Sequence, residues 1–198
     1  MNCVSLGWYC ATASALNGVG LREYSGPFDW YFTNDFRLIV QLIQTRFKDF
    51  LNKDNIVPNK ENIHQFEDTK YNMYFFHENK NDLPFDYAFV EMKQKYDRRI
   101  ERFLNRLKSP SYVFRIVTGN DEIDYINENY EYISNVFKEF NPLNEVIYIL
   151  FNDFKELDEH CKQFRLSIPY SERPIEKEDM EKLFNTSEEL IEFCRRIK

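Results

Sequence analysis

The stretch that most constrains the fold is "EVIYILFN" at 145–152. A short, nearly continuous apolar run rich in β-branched residues reads as a strand buried on both faces. Such strands occur in parallel sheets that carry helices on either side. "YVFRIVT" at 112–118 is a second such strand, broken by one charge, Arg115. A helix is predicted from about 85 to 108, with Phe89, Met92, Tyr96, Ile100, Phe103 and Leu107 as its apolar face. Another runs from "GNDE" to about Phe140. A short helix over about 153–162, a last strand within "QFRLSIPY" and two closing helices follow, the second starting at Asn185-Thr186-Ser187. This alternation predicts an α/β fold: a three-layer, largely parallel, doubly wound sheet with helices on both faces, in one domain spanning 1–198.

The first half opens with strand, turn and helix. "NCVSL" is β-compatible, Gly7 turns the chain, and the Ala-rich "CATASAL" beginning at Cys10 favours helix. "LREYSGPFDWYF" reads as a loop. Asn34 or Asp35 caps a helix whose apolar positions are Phe36, Ile39, Val40, Ile43 and Phe47. A polar stretch runs to about Lys70, and "YNMYFFHEN" (71–79) reads as a strand ending at His77. Cys10 and His77 thus each stand just beyond the C-terminal end of a strand, where ligands sit in parallel sheets.

Composition removes several function classes. A net charge of −7 argues against nucleic-acid or membrane-surface partners. No apolar run is long enough to span a bilayer, and the first residues lack a secretory pattern, so a cytoplasmic location is expected. Cys3, Cys10, Cys161 and Cys194 fit no zinc or C-x-x-C spacing, and no phosphate-binding glycine loop is present, so no metal or other cofactor is expected.

The chain holds only 3 histidines, His64, His77 and His160, so a thiol–imidazole pair has few possible members. Cys10 at a helix N-terminus is either a small buried apolar residue or a nucleophile whose thiolate the helix end stabilises. His77 is either a structural residue at a strand end or a general base, with Glu78, Asn79 or Asp82 to orient it. His64 and His160 are expected in solvent. Asp29, between Phe28 and Trp30, either orients His77 or pairs with an arginine and fixes its loop. Trp30 is a packing ring or a substrate contact. Arg98 and Arg102, in a stripe with Arg106, either grip an anion or form a solvated face with Asp97 and Glu101. Arg115 calls for a buried ion-pair partner or an active-site role. The same arginines define a rival reading, a non-catalytic module for an anionic sugar or nucleotide.

Taken in order, "VSLGWYC", Leu21–Arg22, "PFDW", "FKDFL", "FFHEN", "YDRRIERF" and the strand with Arg115 resemble a papain-like cysteine peptidase family of bacteria and viruses, a domain of unknown function. Trp8 stands where that family usually has a small residue, and Glu78 where Asp or Asn usually follows the histidine. The resemblance implies Cys10 as nucleophile and His77 as base in a hydrolase that works through an acyl-enzyme on a peptide, glycan or small-molecule substrate. It also brings a papain-like α+β architecture as the alternative fold, and an acyl- or glycan-directed transferase as the alternative chemistry.

Overall fold

The computed structural model describes residues 1–32, 35–59, 62, 64–76, 78–79 and 83–198. In chain order the elements are β1 (Asn2–Ser5), α1 (Ala11–Gly18), β2 (Tyr31–Phe32), α2 (Phe36–Gln44), β3 (Ile56–Pro58), β4 (Phe66–Asp68), β5 (Met73–Phe75), α3 (Phe85–Leu107) and β6 (Ser111–Ile116). Then come α4 (Asn120–Glu128), α5 (Tyr130–Lys138), β7 (Glu145–Leu150), β8 (Lys162–Arg165), α6 (Lys177–Lys182) and α7 (Glu188–Ile197).

The fold is α/β. One sheet is wholly parallel, in the order β1-β6-β7-β8, with Val4 opposite Val113 and Val113 opposite Val146. Its central strands bury both faces, as their apolar runs require. Val113, Val117, Tyr148 and Leu150 enter one core with α2, α3, α4 and α5. Phe114, Ile116, Ile147 and Ile149 enter a second core with α1, α6 and α7. The strand order follows the chain across the sheet without reversing. The sheet is therefore not doubly wound, and β1 is an edge strand.

The sequence does not anticipate the second sheet, which is antiparallel in the order β2-β5-β4-β3. Its strands are 2 or 3 residues long, too short to show a period of two. It adds Tyr31, Ile56, Phe66, Met73 and Phe75 to the first core.

Three helix expectations are corrected. α2 stops at Gln44, and Phe47 lies in a turn with φ of 59°, buried against Phe28 and Phe103. Asp35 caps α2 by accepting from the Arg37 N–H at 3.0 Å, while Asn34 is outside the described residues. The helix expected to reach Phe140 divides at Asn129, whose φ is −122° and whose amide donates to the Tyr125 carbonyl. The helix expected at 153–162 is a turn-rich crossover. Side chains from elsewhere take its backbone groups: Asn120 and Asn127 accept from the N–H of Lys155 and Asp158, and Gln163 bonds both the N–H and the carbonyl of Leu157. Arg165 donates to the carbonyls of Phe151, Asn152 and Phe154. With these partners supplied, helical hydrogen bonds are unnecessary.

Asn144, 3 % exposed, staples the ends of three elements. Its Oδ1 accepts from the Ser111 N–H at the start of β6, and its Nδ2 donates to Leu107 at the end of α3 and to Phe137 in α5. Among the described residues no helix is long and apolar enough to cross a membrane. Replacing Asn144 by Leu strands one buried N–H and two carbonyls. The expected loss is about 1–3 kcal/mol or more, measured by urea unfolding.

Candidate functional site

The site is built where β1 hands over to α1. Leu6 extends β1 by donating its N–H to the Phe114 carbonyl at 2.9 Å. The next three residues are all left-handed: Gly7 at φ 79°, Trp8 at 86° and Tyr9 at 50°. Glycine suits its position for a second reason, since a Cβ there would stand 2.5 Å from the Phe28 carbonyl oxygen. Trp8 and Tyr9 are L-residues in a costly region and are held by their rings. Trp8 packs on Phe151 and Tyr170, with centroids 5.8 and 6.0 Å away. Tyr9 packs on Phe32 at 4.7 Å and Phe76 at 5.7 Å.

Cys10 follows as the N-cap of α1, in αR conformation, with its carbonyl accepting from Ser14. Thr12 donates its hydroxyl to the Gly7 carbonyl and closes the turn. Ala11 donates to the Trp8 carbonyl at 3.1 Å. Among the described residues the N–H groups of Trp8 and Tyr9 make no hydrogen bond, and the Cys10 N–H serves its own thiol. Trp8 and Tyr9 thus leave two donors unspent at the mouth of the helix.

Of the four free thiols, Cys10 is half-buried and Cys3, Cys161 and Cys194 are buried. Burial pushes Cys3 and Cys161 up to about 11 and Cys194 to about 12. The Cys10 thiol is also raised, against the sequence expectation of a depressed pKa. Desolvation is the main cause. Its own backbone and the Ser14 hydroxyl favour the thiolate, the Asp29 charge opposes it, and the Arg22 charge favours it. The Met180 sulfur of α6 lies 3.5 Å from Cys10 Sγ.

Asp29 is 1 % exposed. Its Oδ2 accepts from Arg22 Nη2 at 3.1 Å and from the Gly26 N–H at 2.8 Å. Burial raises its carboxyl, opposed by Arg22, the Gly26 N–H and the Ser5 hydroxyl. Its Oδ1 has no hydrogen bond among the described residues. Trp30, beside it, is exposed under the Arg22 guanidinium.

His77 and Asp82 lie outside the described residues. The flanking chain is nonetheless tied to the site, because Phe76 is the ring on which Tyr9 stacks. The strand expected to lead to His77 is β5, which belongs to the antiparallel sheet and not to the sheet of β1. Glu78 is buried, with one oxygen paired to Lys95 and the other accepting from the Tyr96 hydroxyl at 3.4 Å. His64 is placed differently from expectation. Its Nδ1 is 2.8 Å from the Asn79 carbonyl, and its own carbonyl accepts from the N–H groups of Glu78 and Asn79. His160 is exposed.

The arginines do not converge on Cys10. Arg115 is fully buried and bidentate to Glu122 at 2.7 and 2.9 Å, with Nη1 3.4 Å from the Leu6 carbonyl. Arg98 and Arg102 are exposed on α3. Arg102 lines a hollow with Asn2 and Ser109, at the N-terminal ends of β1 and β6, whereas Cys10 follows the C-terminal end of β1. Among the described residues no group of three or more His, Cys, Asp or Glu is placed to hold a metal ion.

An α/β scaffold with a thiol at a helix mouth, beyond the end of a parallel strand, defines the class. The chain belongs to the family described as "Putative papain-like cysteine peptidase (DUF1796)", whose model matches residues 1–154. It is also similar to "Uncharacterized protein R408" of Acanthamoeba polyphaga mimivirus, at 26% identity over 125 residues, covering 54% of this chain and 56% of that protein. The chain therefore spans little more than half the length of that relative. No solved structure matches it.

Sequence reasoning missed Arg22 as the partner of Asp29, Ser14 as a thiol partner and Met180. Only Ser14 carried a local signal, four residues after Cys10 on one helical face. The Arg115–Glu122 pair yields the prediction here. Glu122→Ala leaves a buried guanidinium unpaired and is expected to cost about 3–5 kcal/mol in urea unfolding. The double change Arg115→Met with Glu122→Leu is expected to recover most of that loss.

Proposed function

We propose that the protein is a cysteine hydrolase in which Cys10 attacks a substrate carbonyl. The observation that carries this reading is the placement of Cys10: a half-buried thiol at the mouth of α1, inside the family-matched segment, beside the backbone N–H groups of Trp8 and Tyr9, which have no described acceptor. In this scheme the Cys10 proton passes to His77 as the S–C bond forms. The N–H groups of Trp8, Tyr9 and Cys10 take the oxyanion. The leaving group departs with the proton from the imidazolium, and water, deprotonated by the same imidazole, releases the acyl group and restores the thiol. Asp29 is assigned the orienting role in preference to Glu78. Asp29 Oδ1 has no described partner, whereas both Glu78 oxygens are taken by α3.

Burial decides the resting state. Desolvation raises the Cys10 thiol above its ordinary value, which favours a mechanism in which the base takes the proton as the attack proceeds. A peptide carbonyl is the substrate that the family points to. Arg115 is committed to Glu122, which leaves the rival reading of an anion-binding module without its buried cation.

Two outcomes are expected. Cys10 should be the one thiol alkylated in the native protein, and its rate should keep rising with pH past the point, about 8.5, where free cysteine is half ionised. Intact-mass kinetics and peptide mapping measure this, and a flat rate between pH 5 and 7 would overturn the neutral-thiol mechanism. Cys10→Ala should abolish hydrolysis of a fluorogenic peptide mixture, and His77→Ala should lower it by about 10²–10⁴-fold.

A further inference from the structure

A side chain in contact with the thiol comes from a part of the chain that the family match, residues 1–154, does not reach. Met180 of α6 is 7 % exposed and places its sulfur 3.5 Å from Cys10 Sγ. The short helix that carries it is held on α1 by close backbone approach. A Cβ on Gly18 would collide with the Glu181 carbonyl oxygen, and Asn17 donates to the Glu181 carboxylate at 3.1 Å. Leu183 and Phe184, next in the chain, are buried behind it. Trp8 and Tyr170 belong to the same apolar cluster.

We infer that Met180 is a specificity-determining residue of the Cys10 site: its thioether is the wall against which the acyl group of the substrate lies, and that acyl group is apolar. The inference rests on the reading of Cys10 as the nucleophile. A thioether on three rotatable bonds can swing aside and re-pack against an incoming alkyl or aryl group without moving α6. A charged group would have to replace it in a buried setting where α6 offers no free counter-charge: its Lys177, Glu178, Asp179 and Lys182 face solvent, and its Glu181 is held by Asn17 and Lys177. Among the described residues the two charges that act on the thiol, Asp29 and Arg22, come from the loop before β2 and are already paired with each other.

The test uses the full chain and three thiol reagents, N-ethylmaleimide, iodoacetamide and iodoacetate, with rates at Cys10 read by peptide-mapped mass. In the native protein, Cys10 should favour the apolar maleimide over anionic iodoacetate by about tenfold more than glutathione does. Met180→Ala should raise the Cys10 rates about tenfold and shrink that preference, while Met180→Leu, which keeps an apolar wall, should stay within about twofold of the parent. Gly18→Ala, which drives α6 off α1, should behave like Met180→Ala. Unreactive Cys3, Cys161 and Cys194 report an intact fold in each variant. The inference is overturned if Met180→Ala and Gly18→Ala leave rate and preference unchanged, or if Cys10 in the parent shows the preference of a free thiol. Failure of the hydrolase reading looks different: hydrolysis would survive Cys10→Ala while the effects of Met180 on alkylation persist.

Discussion

The ion pair between Arg115 and Glu122 is the interaction on which the rest of the site depends. A guanidinium in the middle of a buried strand is tolerated because its charge is paired and three of its five N–H groups are bonded. Glu122 takes two of its N–H groups, the Leu6 carbonyl takes another, and the ring of Phe36 lies 5.0 Å away. Glu122 is itself held by the N–H and the hydroxyl of Thr118. One buried charge thus joins β6 to the start of α4, to α2 and to the last residue before the Gly7 turn. These contacts fix backbone, and the bidentate geometry commits the guanidinium to Glu122.

Above that anchor the two cores divide the work. The first, shared with the antiparallel sheet, brings Phe32 and Phe76 to one side of the turn. The second brings Phe151, Tyr170 and Met180 to the other. Cys10 sits between them, dry enough for its thiol to be raised and open enough to remain the least buried of the four. The helix end alone would lower the pKa. Here the loss of water outweighs it, and the thiol is raised.

The parts of this architecture legible in the sequence are those written over many residues. The apolar run of β7, the stripe of α3 and the strand–glycine–helix opening at Cys10 each follow from periodicity or turn chemistry, and the elements stand where they were expected. Illegible were features set by distant partners. The crossover at 153–161 is non-helical because Asn120, Asn127 and Gln163 satisfy its backbone, and nothing within the segment announces them. The short antiparallel strands carry too few residues for a pattern. Met180 meets Cys10 across 170 positions of chain. The direction of the thiol shift was missed for the same reason, because burial is a property of the assembled cores.

The left-handed turn has a consequence for heat. Two of its three residues bear side chains that oppose their own backbone, at about 1–2 kcal/mol each, and their rings supply the opposing hold. Ring contacts at an edge strand loosen before a four-stranded parallel sheet comes apart. As temperature rises, the turn should therefore relax toward ordinary backbone while the strands are still paired, and the thiol should lose its aim in a molecule whose circular dichroism has not changed. The change in reactivity at Cys10 would then be a local event, reversible on cooling, and distinct from the melting of the fold.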